Sequence, residues 1–72
     1  MEKLVKDLQV GDKIALEPDG IAVISRKDRS RLFKADGGCF VFDFRIVSGP
    51  DKGEKIKEQH YPGTHVVAIA AA

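Results

Sequence analysis

The chain has 72 residues, 43% of them hydrophobic and 32% charged, with a formal net charge of +1. That length leaves room for one hydrophobic core and excludes a second domain, so residues 1–72 read as one unit; the near-average composition argues against disorder, and the near-zero charge balance excludes a protein whose whole surface serves nucleic acid. The single cysteine, Cys39, excludes an internal disulfide and fits a reducing, cytoplasmic setting.

At the amino end, Leu4, Val5 and Leu8 share a side of one helical turn that Gly11 would end, or the same residues form an extended lead-in. No charged region followed by an apolar stretch marks a secretion signal. The longest nearly uninterrupted apolar run, residues 66–72, falls far short of the roughly 20 residues of a membrane-spanning helix. Turn signals then recur at close intervals: Val10-Gly11-Asp12, Pro18-Asp19-Gly20, Lys27-Asp28-Arg29-Ser30, Asp36-Gly37-Gly38, Ser48-Gly49-Pro50-Asp51-Lys52-Gly53 and Tyr61-Pro62-Gly63-Thr64. Glycine supplies positive φ, proline presets the first turn angle, and Asp or Ser bonds its own backbone. Between these signals lie segments 13–17, 21–27, 31–35, 39–47, 54–59 and 65–70, too short for helices and spaced as short strands. In the fourth segment Phe40, Phe42, Phe44 and Ile46 fall on one face and Val41, Asp43, Arg45 and Val47 on the other. Ala70, Ala71 and Ala72 close the chain and are expected to fray. Pairing neighbours in sequence predicts an all-β fold: a small antiparallel barrel of five to six strands, with at most one short helical turn near the N-terminus. So small a core gains from self-association, and a homodimer is an expected remedy.

The opening Val5-Lys6-Asp7-Leu8-Gln9-Val10-Gly11-Asp12-Lys13-Ile14 resembles the start of many small barrels of the Src-homology and KOW types, in which a leucine-bearing turn leads through Gly-Asp into the first strand. Ile46-Val47-Ser48-Gly49-Pro50-Asp51-Lys52-Gly53-Glu54-Lys55-Ile56 resembles the KOW signature of strand, Gly-x-x-x-Gly turn and strand, and also the hairpin of some phage single-strand-binding proteins with oligonucleotide-binding folds. The KOW motif usually opens its barrel, whereas here it begins at Ile46. The resemblance therefore implies a Src-homology-like or oligonucleotide-binding-like barrel and nucleic-acid contact, without transferring a specific family role.

The charge is unevenly spread. Residues 1–25 carry three basic and five acidic side chains, residues 26–45 six basic and three acidic, and residues 46–72 three of each. The basic excess centres on Arg26-Lys27-Asp28-Arg29-Ser30-Arg31-Leu32-Phe33-Lys34. Read as a hairpin, this stretch places Arg29 at the turn, Arg26 and Lys27 on the incoming strand, and Arg31 and Lys34 on the outgoing one, a geometry that straddles a phosphate backbone. Phe33 would offer a ring for a base, and Arg45 would extend the basic surface. The competing reading is a solvated turn whose charges only keep the protein soluble, with Asp28 neutralising its neighbours.

Other candidates carry less chemistry. The Phe40, Phe42, Phe44 stripe could stack bases, but burying three of only four phenylalanines supplies much of the folding free energy, so it is read as core. The loop of residues 48–53 lacks the Gly-Lys-Ser or Gly-Lys-Thr ending of a nucleotide-binding loop and is read as a hairpin turn. His60 and His65 flank a turn, and with Cys39 would make at most a three-ligand metal site lacking the short spacings that zinc sites use. Tyr61 is either a surface anchor for a partner or partly buried. Cys39 begins an apolar strand with no clustered cations to activate it, and so small a chain has little volume for a substrate pocket. No enzyme, cofactor or metal site is expected. The leading expectation is a binding module that contacts nucleic acid through Arg26, Lys27, Arg29, Arg31, Lys34 and Arg45. The alternative is a protein-interaction module, an accessory or inhibitory protein of a phage or mobile element, that meets an acidic protein surface or works through a barrel edge or hydrophobic face.

Overall fold

The alternation of residues 39–47 places the core. In the computed structural model, which describes residues 1–16, 19–32, 34 and 37–70, the chain runs β1 (Glu2–Leu4), a single 3-10 turn (Val5–Asp7), β2 (Lys13–Leu16), β3 (Gly20–Arg29), β4 (Cys39–Ser48), β5 (Lys55–Pro62) and β6 (Val66–Ala68). The fold is all-β, with one short helical turn near the N-terminus as expected.

The strands form two antiparallel sheets, a meander in the order β2-β3-β4-β5 and a two-stranded sheet of β1 and β6. Among the described residues one isolated bridge, Ile14 to Ile69, joins them, flanked by hydrogen bonds from Ile69 N–H to the Met1 carbonyl and from Ala70 N–H to the Lys13 carbonyl. Among the described residues no ladder closes the ring between β5 and the small sheet, so the barrel expected from the strand count is not found as a closed structure. Its place is taken by the 3-10 turn, whose Val5 and Lys6 N–H groups donate to the His65 and Gly63 carbonyls at 2.8 and 3.1 Å. That turn drives Val5 and Leu8 fully into the interior.

Phe42, Phe44 and Ile46 are buried on the inner face of β4 together with Ala22 and Ile24 of β3, Ile14 of β2, Val5 and Leu8. The rings of Phe42 and Phe44 lie 5.9 Å apart. Full burial of each large apolar side chain is worth about 1.5–3 kcal/mol, and Phe40, at the end of the stripe, is only half-buried. On the opposite face Cys39 and Val41 are buried as well, so the start of β4 is covered on both sides.

Segment 31–35 forms no strand at its described positions. Arg31, Leu32 and Lys34 lie in the connection from β3 to β4. The ladder ends where Ser30 N–H donates to the Cys39 carbonyl, and the Ser30 hydroxyl then accepts the Leu32 N–H at 3.2 Å, which turns the chain away from the sheet. Glu17 and Pro18, Phe33, Ala35, Asp36, Ala71 and Ala72 lie outside the described residues, and with them the expectations of a stacking ring at Phe33 and of fraying at Ala71 and Ala72; Ala70, expected to fray with them, is instead held by its N–H on the Lys13 carbonyl at 3.0 Å.

Two register shifts bend the meander at one level. Ser25 is an extra residue in β3, between Ile24 opposite Phe44 and Arg26 opposite Asp43. In β5 two residues, Lys57 and Glu58, oppose Asp43 alone, and Glu58 takes a left-handed φ of 56°. Such bulges re-aim side chains and increase twist. The hairpin from β4 to β5 follows the Gly-x-x-x-Gly reading: Gly49 and Gly53 have φ of 104° and 97°, and Gly53 N–H donates back to the Ile46 carbonyl at 2.8 Å.

Candidate nucleic-acid interface

Alternation along β3 divides the predicted basic cluster between two faces. Arg26 and Asp28 share the outer face with Asp43 of β4, whereas Lys27 and Arg29 share the inner face with Phe42 and Phe40.

On the outer face Arg26 is engaged by the domain's own carboxylates. Its Nε donates to Asp28 Oδ2 at 2.6 Å and its Nη1 to Asp43 Oδ2 at 3.4 Å. The hydrogen bond to Asp28 holds the guanidinium above its ordinary pKa, and Asp43 adds to this against partial desolvation. Asp43 in turn accepts the Glu58 backbone N–H through Oδ1 at 2.9 Å. That bond above all, followed by the charges of Arg26 and Lys57, keeps its carboxyl below the ordinary value despite partial burial. Exposed pairs of this kind add little stability, but they set two carboxylates against the charge of Arg26.

Lys27 is also diverted. Its ammonium donates to the Leu8 and Lys6 carbonyls at 2.6 and 3.0 Å, and it lies 4.9 Å from the centre of the Phe40 ring. These contacts tie β3 to the 3-10 turn, so two of the six predicted contact residues are engaged by groups of the domain itself.

The other four remain exposed. Arg29 ends β3 with its guanidinium 6.0 Å from the Phe40 ring centre, and Arg31 and Lys34 extend from the connection beyond it. Arg45 points from the outer face of β4, between Val23 of β3 and Lys55 of β5. Among the described residues none of these four forms an ion pair.

Arg45 opens onto a shallow groove of about 490 Å³ on the outer face, lined by Val10, Val23, Asp43, Arg45, Lys55 and Lys57 among others. Sequence reasoning counted Lys55 and Lys57 only within a balanced run of charges. Their spacing of two in a strand was the available signal, because it sets both apart from Ile56 between them and from the flanking Glu54 and Glu58. A second, apolar hollow of about 260 Å³ lies where the ring of strands stays open, between Ile14 and Leu16 of β2, Ile56 and Tyr61 of β5 and Val67 of β6.

The two histidines face different ways. His60 lies on the outer face opposite Val41 with its Nδ1 2.5 Å from the Ser30 hydroxyl, whereas the exposed His65 stacks on Tyr61 at 5.3 Å between ring centres. Among the described residues no three His, Cys, Asp or Glu side chains come together as a metal site. Tyr61 is half-buried against the core, and no helix among the described residues is long and apolar enough to cross a membrane. No protein-family model matches this chain, and neither a curated protein nor a solved structure matches it.

Proposed function

We propose that this chain is a small, non-enzymatic, barrel-like binding module of the cytoplasm that contacts nucleic acid through the exposed cations where β3 leads into β4. The single observation that carries the reading is the set Arg29, Arg31 and Lys34: all three are exposed, none is paired among the described residues, and Arg29 lies beside the half-buried Phe40 ring. Arginine with an aromatic neighbour suits a phosphate backbone and an unstacked base together. Affinity for DNA or RNA falls steeply with salt on this reading, because phosphate contacts release counterions. The test is a titration of single- and double-stranded DNA and RNA at about 50 mM salt, where such contacts are strong. Absence of binding to all of them refutes the proposal, and R29E/R31E is expected to abolish binding while leaving the circular dichroism spectrum unchanged.

The apolar hollow between β2, β5 and β6 favours a second reading, a protein-interaction module that seats an apolar partner segment against Ile56, Tyr61 and Val67. Association that survives nuclease and high salt and is lost in V67D supports it. A purely nucleic-acid-dependent association rejects it.

A further inference from the structure

The geometry points to the outer-face groove around Arg45, Lys55 and Lys57 as a second phosphate-contact site, used by the same nucleic acid that meets Arg29; the inference rests on the nucleic-acid reading above and extends it to a separate surface. Arg45 and Lys55 are direct cross-strand partners on β4 and β5. Like charges placed opposite one another repel, and a sheet gains nothing structurally from the arrangement.

Lys57 adds a third cation from the β5 bulge, on the same groove lining. Asp43, the one carboxylate on the groove lining among the described residues, offsets this excess only in part: it feels the charge of Lys57, but its oxygens are engaged elsewhere. One of its oxygens holds the Glu58 N–H, and the other faces the Arg26 guanidinium. Glu54 and Glu58, the other acids of β5 and its approach, form no ion pair with these cations among the described residues.

The floor and wall supply what a sugar-phosphate chain requires beside its charge. Val23 lies across β4 from Lys55, in register with Arg45, and Val10 is 60% exposed at the rim, so apolar surface adjoins the cations. Three cations along one strip, with the neighbouring carboxylate already occupied, match a repeated phosphodiester better than a lone small anion. The two bulges keep the strip open, because each re-aims its strand next to Asp43.

The test follows backbone amide shifts of the full chain during titration with single-stranded oligothymidylate at about 50 mM salt, with polyglutamate as the comparison. The expected result is perturbation of Val23, Arg45, Lys55 and Lys57 as well as Arg29 and Arg31 by oligothymidylate. The triple variant R45Q/K55Q/K57Q should bind about tenfold more weakly, with a salt slope smaller by about 2, the release expected for three single-strand phosphate contacts. Shifts confined to residues 29–34 overturn the groove and leave the first site standing. Shifts confined to the groove do the reverse. Perturbation of the groove by polyglutamate alone assigns it to an acidic protein and overturns the inference, and an unchanged affinity and slope in the triple variant does so as well.

Discussion

The Asp43 carboxylate receives the Glu58 backbone N–H at 2.9 Å, across the point where β5 carries one residue more than β4. The side chain of one strand thereby satisfies a donor that the bulge removes from the ladder. Its other oxygen faces Arg26, beside the bulge in β3, so a single carboxylate fastens irregularities on both sides of the central strand.

Acidification should expose this fastening. Because the folded chain holds the Asp43 carboxyl below its ordinary pKa, its contribution is fully present above about pH 4, the ordinary carboxylate range, and is lost as pH falls through the depressed folded value. Thermal melts as a function of pH should show D43N several degrees less stable than the parent at neutral pH. The two curves should converge in strong acid, and a constant difference at every pH would remove the carboxylate charge as the cause.

Lys27 should behave as a structural residue. K27M loses the donor to the Lys6 and Leu8 carbonyls but keeps the apolar stem, and is expected to cost about 1 kcal/mol in urea unfolding. Oligonucleotide affinity of the folded fraction should stay at the parent value. A large drop in affinity at unchanged stability would return Lys27 to the interface.

Gly49 and Gly53 share a loop and differ in consequence. A Cβ at Gly49 would fall on the Asp19 carbonyl oxygen and lie 2.8 Å from the Gly20 Cα, all of it backbone, whereas nothing lies within 4 Å of one at Gly53. G49A should therefore cost on the order of 3 kcal/mol or more and abolish cooperative unfolding, and G53A should cost about 1–2 kcal/mol from positive φ alone. Equal melting temperatures for the two variants would contradict the close approach of this turn to the start of β3.

Arg45 should trade stability for binding. R45T removes one member of the like-charged cross-strand pair with Lys55 and introduces a good strand former, so chemical denaturation should show a gain of about 0.2–1 kcal/mol. Oligonucleotide affinity should fall in the same variant. A loss of stability would mean that Arg45 supports the sheet.

The interior of this fold was legible because its signals are local. Phe42, Phe44 and Ile46 alternate with polar or smaller residues, and glycine-bearing turns bracket β4 closely enough to place its ends, whereas β3 and β5 run on to Arg29 and Pro62, through positions that the sequence reads as turns. The pairing of β1 with β6 was hidden, since Glu2-Lys3-Leu4 has no strand pattern of its own and finds its partner at the far end of the chain. The basic cluster was legible as composition and misread as geometry. Residues two apart in a strand share a face, which already separates Arg26 and Asp28 from Lys27 and Arg29. The bulge at Glu58, which brings Lys57 beside Asp43, has no marker in the sequence, because neither glycine nor asparagine occupies the left-handed position.

The small sheet also bears on how the chain reaches its folded state. Glu2 pairs with Ala68, and the ladder closes over nearly the whole polypeptide, while the meander needs only successive hairpins. Loop-closure entropy makes the first kind of contact the harder to form early. The ends are therefore expected to dock late, on a meander already assembled, and to act as a latch that governs how long the native state persists more than how quickly it is found.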